Sequence, residues 1–214
     1  MRIGVIACGT IRHEMSRLID GDPDITEAIY LGSALHIHPE KMREVIIEQI
    51  DALEGKVDAV FLGYGYCQSL KGIEAVVKVP TVLPPYDDCL TIMLTPERYA
   101  RELEHEAGTW FMSPGWAEVG AHMIVRELNL DGALDYDSDP MDMAKRLFTH
   151  YKRGLFFNTG MPAGQVEPYR EKAKRFCRDV SLEFEETEVA DSPLLREELE
   201  RCKRLAARLT EGVS

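Results

Sequence analysis

The sequence predicts an α/β protein with a largely parallel, doubly wound, Rossmann-like sheet. Two observations predict it. Over the first ninety residues, short apolar runs that read as buried strands alternate with segments of helical periodicity, in the order β-α-β-α-β-α-β. Parallel neighbours need long crossover connections, and the intervening helical segments supply them. The second half repeats the rhythm less regularly. The expectation is a single α/β domain over residues 1–214, with room for two similar halves and an internal boundary near residue 95.

The elements follow in order. Residues 2–7 are an apolar strand run, and TIRHEMSRLID then has helical spacing through Ile11, Met15, Leu18 and Ile19. A second strand is placed around Ile29 to Leu35. Pro39 opens a helix that Gly55 closes, with Met42, Val45, Ile46, Ile50 and Leu53 at steps of three and four on one face. VDAVFLGYG is a third strand, followed by a helix from about Ser69 to Val77. PTVLP is the fourth and runs straight into an Asp-Asp-Cys turn. Beyond it, PERYARELEHE is a charged helix, GTWFMS a strand and GWAEVGAHMIVRELNL a helix. DSDPMDMAKRLFTHYKR is a further helix and GLFFNTG a strand. EPYREKAKRFCRDV is a helix and SLEFEETEVA a last strand, and Asp191-Ser192-Pro193 starts the final helix.

Composition narrows the function classes. The chain carries 25 basic and 37 acidic residues, a formal charge of −12. A field of that sign repels phosphate backbones and anionic membranes, which argues against nucleic-acid and membrane partners. The opening MRIGVIACGT has one Arg and too short an apolar run for a signal peptide, and nothing approaches the ~20 apolar residues of a membrane span. A cytoplasmic protein is expected. Its five cysteines would then be reduced, which favours metal binding or catalysis over a disulfide framework.

Cys8, Cys67 and Cys89 each lie just past a strand-like run: RIGVIAC, VDAVFLGYGYC and VPTVLPPYDDC. If those runs are parallel strands of one sheet, their carboxyl ends share the edge where open α/β sheets build binding crevices. Thiols far apart in sequence would then converge on a metal. Thiolates are soft donors suited to zinc, Cu(I) or iron–sulfur units. No CxxC pair occurs, so an ordinary zinc finger or ribbon does not fit. Three isolated ligands favour either a [4Fe–4S] cluster with one open iron or zinc completed by His36 or a substrate atom, and the absence of paired cysteines tilts the choice toward the cluster. Free cysteine is also a small buried hydrophobe, and any one of the three alone would read that way. Cys177, inside a predicted helix, and Cys202, on the charged final helix, are read as packing or surface residues.

Other side chains are candidates for the same site. The His36-x-His38 pair ends the second predicted strand, and alternation would point both rings to one side. His36 is a candidate fourth ligand or acid–base group, against the plainer reading of a histidine bonded to the turn before Pro39. Glu14, one turn into the first helix, is another candidate fourth ligand or a solvated helix residue. Tyr64 is a candidate proton donor. Gly63 and Gly65 let backbone and ligand approach closely, so Gly65 is a candidate cofactor contact. Trp116, beside Gly115, is a candidate pocket wall, whereas Trp110 and Phe111 read as core. Asn158, Thr159 and Gly160 end another strand and could line the crevice. GYGY is neither GxGxxG nor a Walker loop, Ser113 is not in a GxSxG elbow, and residues 131–139 lack EF-hand order.

ACG near the start, LH before a Pro-led helix, GYGYC, the DDC turn and AGTWFMSPGW occur in that order. This set resembles an uncharacterised family of small three-cysteine α/β proteins, often encoded near corrinoid-dependent methylamine methyltransferases in methanogens and other anaerobes. The match covers roughly residues 1–120. It marks Cys8, His36, Tyr64, Gly65, Cys67, Asp88, Cys89 and Gly108. The family pattern has an Arg upstream of the Asp-Cys pair, where this chain has Pro84-Pro85-Tyr86. The resemblance implies a metal-dependent enzyme or accessory factor of one-carbon or corrinoid methyl-transfer metabolism. The alternatives are a non-catalytic metal carrier and an interaction module with inert cysteines. The implied partners are a small-molecule substrate or a corrinoid protein, with a homo-oligomer left open.

Overall fold

The computed structural model describes residues 1–130, 139–189 and 192–211. They form two compact units. One is built from Met1–Thr95 and the C-terminal helix, the other from Pro96 onward to the last strand.

In the first unit, β1 (Ile3–Cys8), β2 (Ile25–Leu31), β3 (Ala59–Gly63) and β4 (Thr81–Val82) form an all-parallel sheet in the order β2-β1-β3-β4. The central strands β1 and β3 are buried along their whole length, as continuous apolar runs require. They approach closely, since a Cβ on Gly63 would lie 2.6 Å from that of Ala7. β2 is the half-exposed edge, with Glu27 facing out.

The chain steps from β1 outward to β2, then back across β1 to β3. Right-handed crossovers in opposite directions place their helices on opposite faces, which is double winding. They also create a topological switch point between the carboxyl ends of β1 and β3. The first crossover carries α1 (Arg12–Ile19), preceded by a 3-10 turn at Gly9–Ile11. The second carries α2 (Pro39–Asp51). α2 buries Met42, Ile46 and Ile50 and packs on β1. Each such side chain contributes about 1.5–3 kcal/mol on burial. α3 (Cys89–Leu94) follows β4 after a short loop.

Two local expectations change. The second strand spans Ile25–Leu31, not Ile29 to Leu35. It ends at Leu31 because its partner ends there, with Cys8 paired to Leu31. Residues Ser33–Ile37 turn into a 3-10 helix, so His36 is not on a strand and strand alternation does not orient it. The helix expected over 69–77 is only a 3-10 turn at Ile73–Ala75. Cys67, Gln68 and Gly72 hold left-handed φ values of 41°, 67° and 76°, which interrupt a right-handed helix.

The second unit contains α4 (Pro96–His105), β5 (Thr109–Met112), α5 (Pro114–Glu127), α6 (Pro140–Leu147), β6 (Arg153–Asn158), α7 (Ala163–Val180) and β7 (Glu183–Glu188). Its sheet is parallel, in the order β5-β6-β7. α5 breaks at Gly120, whose φ is 68°. Trp110 centres an aromatic cluster with Trp116, Phe148, Tyr151 and Phe176 at 4.9–6.0 Å. Buried Arg153 donates to Thr109, Glu102 and Glu185, so one guanidinium ties α4, β5 and β7 to β6.

α8 (Pro193–Glu211) returns to the first unit. It buries Leu195, Leu199, Cys202 and Ala206 and packs on β3, β4 and α3. Arg201 donates to the Leu83 carbonyl at 2.8 Å, and Lys203 pairs with Asp22 at 2.5 Å. Among the described residues no helix is long and apolar enough to cross a membrane. The acidic stretch at 131–138 and Asp191 lie outside the described residues.

Candidate functional site

Cys8 is the last residue of β1 and is 6% exposed. Tyr64 follows the last residue of β3. Because β1 and β3 pair in parallel, with Ala7 opposite Gly63, these two residues leave the sheet side by side at the switch point. Cys89 opens α3, where Asp88 caps the helix by accepting from the Thr91 N–H at 2.7 Å and its hydroxyl at 2.8 Å.

The loop carrying Cys67 is fastened to the loop before α3. Tyr66 N–H donates to the Tyr86 carbonyl at 2.7 Å, and Cys67 N–H to that of Asp87 at 2.9 Å. Gly65 lies on the Asp88 backbone, so its lack of a side chain serves loop-to-loop contact. Arg43, from α2, donates to the Ser69 carbonyl at 2.6 Å and pins the far end of the Cys67 loop.

The three thiols therefore gather, and Thr10 links Cys8 with Cys89. The Thr10 hydroxyl donates to the Cys8 sulfur at 3.0 Å and lies 3.8 Å from that of Cys89. The Cys89 thiol also hydrogen-bonds Cys8, and this, with Thr10 assisting, holds the Cys8 thiol below the ordinary value against the opposing effect of burial. The same bond, seen from Cys89, pushes that thiol up, as does its burial. Cys67 is raised to about 12, by burial first and then by charge on Cys8, although backbone groups of Gly65 and Cys89 hydrogen-bond it.

Tyr64 stands among all three. It is 2% exposed, and its hydroxyl has no hydrogen-bond partner among the described residues. Its acidity is suppressed by burial and then by charge on Cys8, Cys89 and Cys67. An unpartnered buried hydroxyl costs about 1–3 kcal/mol, so the site is built with an unmet demand at its centre. Among the described residues, no three His, Cys, Asp or Glu side chains are arranged as a ready-made metal-holding group.

His36 is exposed on its 3-10 turn, and its Nδ1 lies 2.5 Å from the Ser33 carbonyl, the local turn bond weighed from the sequence. Glu14 is 4% exposed on α1. Trp116 belongs to the second unit, where it stacks edge-on against Trp110 at 5.2 Å. Asn158 is also in that unit, bonding both backbone groups of Met161 and the Glu188 carboxylate. Cys177 is buried against Gly154, and Cys202 is fully buried on α8, with burial raising them to about 11 and about 12. Two residues went unassigned from sequence. Thr10, two past Cys8, carried the faint signal of a hydroxyl beside a thiol. Arg43 carried none, being one charge among many on a helix.

The chain matches, over residues 30–196, the family model described as "Protein of unknown function (DUF1638)". No curated protein matches. Among solved structures, anabolic ornithine carbamoyltransferase from Campylobacter jejuni subsp. jejuni NCTC 11168 is similar at 11% identity, over 97% of this chain and 84% of that one. The TM-score is 0.28, too low to bear on function.

Proposed function

This chain belongs to the DUF1638 family, and we propose that its Cys8, Cys67 and Cys89 hold a soft metal centre, a [4Fe–4S] cluster in preference to zinc. The proposed role is as an enzyme or accessory factor of one-carbon or corrinoid methyl-transfer chemistry, with a small molecule or a corrinoid protein as partner. The observation that carries the metal reading is the unpartnered Tyr64 hydroxyl, buried among three thiols at the switch point of a parallel sheet. The link to methyl transfer is carried by the family resemblance of the motifs.

The donor set fits such a centre. The bond with Cys8 and then burial push the Cys89 thiol up, burial and then charge on Cys8 push Cys67 up, and a bound cation would favour both thiolates. Thr10 links Cys8 with Cys89, and the loop that carries Cys67 is fastened to the residues just before Cys89. When bound, a centre with three thiolates keeps one coordination position open to a substrate or a further ligand. The residues around it have definite tasks. Thr10 donates to the Cys8 sulfur and steadies its charge. Tyr64 offers an O–H to a sulfur or to a molecule at the open position. The Gly65–Asp88 contact keeps the two ligand loops together, and Arg43 holds the Cys67 loop from outside.

Metal and acid-labile sulfide analysis of protein purified without oxygen tests the reading. Iron with sulfide supports the cluster, and zinc without sulfide the alternative. A protein free of both metals leaves only a module with inert cysteines.

A further inference from the structure

Thr10 is 1% exposed and sits on the 3-10 turn Gly9–Ile11, between the end of β1 and the start of α1. The turn is held tightly, since a Cβ on Gly9 would stand 3.0 Å from the Leu31 carbonyl oxygen and from the Ser33 hydroxyl. A β-branched side chain has few rotamers, so the backbone fixes where the Thr10 hydroxyl points. That hydroxyl donates to the Cys8 sulfur at 3.0 Å and lies 3.8 Å from the sulfur of Cys89, 79 residues further along the chain. A neutral thiol sulfur is a weak acceptor for a buried hydroxyl. A metal-bound thiolate is a stronger one, because charge on the acceptor roughly doubles such a bond. The hydroxyl is therefore placed better for a loaded site than for an empty one.

We propose that Thr10 is a positioning residue of the metal centre, a single hydroxyl that serves as the outer hydrogen-bond partner of two ligand sulfurs and makes them unequal. The inference rests on the reading of Cys8, Cys67 and Cys89 as ligands, and it assigns how two of those sulfurs are tuned. The hydroxyl has one proton and gives it to the nearer sulfur. Cys8 then becomes the weaker electron donor to the metal and Cys89 the stronger. In an iron–sulfur centre, hydrogen bonds to the ligand sulfurs help set the reduction potential, and they raise it by stabilising the more negative, reduced state. With zinc in the site, the same bond orients the Cys8 ligand and strengthens retention.

The test uses the full chain, metal-free and reduced, reconstituted without oxygen in two samples. One receives ferrous iron with sulfide, the other cobalt(II) as the spectroscopic stand-in for zinc. Both are read by sulfur-to-metal charge-transfer absorption and by chelator competition, and the iron sample also by its reduction potential. Thr10→Val keeps the shape of the side chain and removes the hydroxyl. It should move the charge-transfer band to lower energy, lower the potential and weaken metal retention about 10–100-fold. Thr10→Ser keeps the hydroxyl and should hold the wild-type band and potential. Thr10→Ala removes the same hydroxyl and takes the place of Thr10→Val if that variant does not fold. Weaker retention with an unshifted band makes Thr10 a packing residue and overturns the proposal, as does a Thr10→Ser protein that behaves like Thr10→Val. A wild-type chain that takes up metal, beside a Thr10→Val chain with the same band and retention, overturns this proposal alone and leaves the metal reading standing. A wild-type chain with no charge-transfer band in either sample overturns the metal reading and this inference with it.

Discussion

Gly65 rests on the backbone of Asp88 so closely that a Cβ would stand 2.7 Å from its N, Cα and C atoms. The contact joins the loop that carries Cys67 to the residue before Cys89. Backbone atoms cannot rotate out of the way as a flexible side chain can. Gly65→Ala should therefore separate the loops and cost about 1–3 kcal/mol, read as a lower denaturant midpoint. It should also lower metal retention. Unchanged stability together with unchanged metal content would mean that the loops are not held in this register.

Cys67→Ser replaces a soft donor by a hard one on a loop that faces solvent in part. Metal content should drop several-fold with little loss of fold stability. Cys202→Ser should do the opposite. It places a hydroxyl at a fully buried α8 position, costing about 1–3 kcal/mol, and leaves metal content intact. Full metal content in Cys67→Ser, measured by elemental analysis, removes that cysteine from the site.

Tyr64→Phe separates two roles by sign. In metal-free protein the hydroxyl is buried without a partner, so its removal should be neutral or stabilising by about 1 kcal/mol in chemical denaturation. With metal present, loss of an outer hydrogen bond should weaken retention about 10–100-fold in a chelator competition. Equal destabilisation in both states would mark Tyr64 as a packing residue only.

Thiol ionisation predicts how the metal-free protein responds to pH. Cys8 is lowered from the ordinary 9.0 to about 7, chiefly by the bond from Cys89. Its contribution is present above the ordinary value and is lost as pH falls through about 7, so stability should rise between those two points. Cys67 is raised to about 12 by burial, so its contribution is lost as pH climbs from 9.0 toward 12. Cys202 acts in the same sense. Denaturant midpoints across this range should peak near the ordinary thiol value. A monotonic profile, or a peak that survives Cys8→Ser unchanged, would contradict the assignment.

Alternation of apolar runs with amphipathic segments was enough to read the parallel α/β architecture, because a strand buried on both faces must be apolar throughout, as β1 and β3 are. The helix at Pro39 was legible for the same reason, with Met42, Ile46 and Ile50 buried at its spacing. Where the reading failed, at Leu31 and over residues 69–77, the outcome depended on distant partners. β2 stops because β1 stops beside it, and the Cys67 loop takes left-handed φ because it is fastened to Tyr86 and Asp87.

By itself, the sequence determined that buried apolar strands precede or end at Cys8, Cys67 and Cys89, since burial periodicity is a local property of the chain. Only the tertiary structure decided the rest. It linked Cys8 with Cys89 through Thr10 and left the Tyr64 hydroxyl at the switch point with no hydrogen-bond partner among the described residues. It also assigned Trp116 to an aromatic cluster of the second unit and α8 to the first. Those outcomes depend on strand order, loop-to-loop hydrogen bonds and close backbone approach between segments far apart in the chain, and no window of sequence contains both partners.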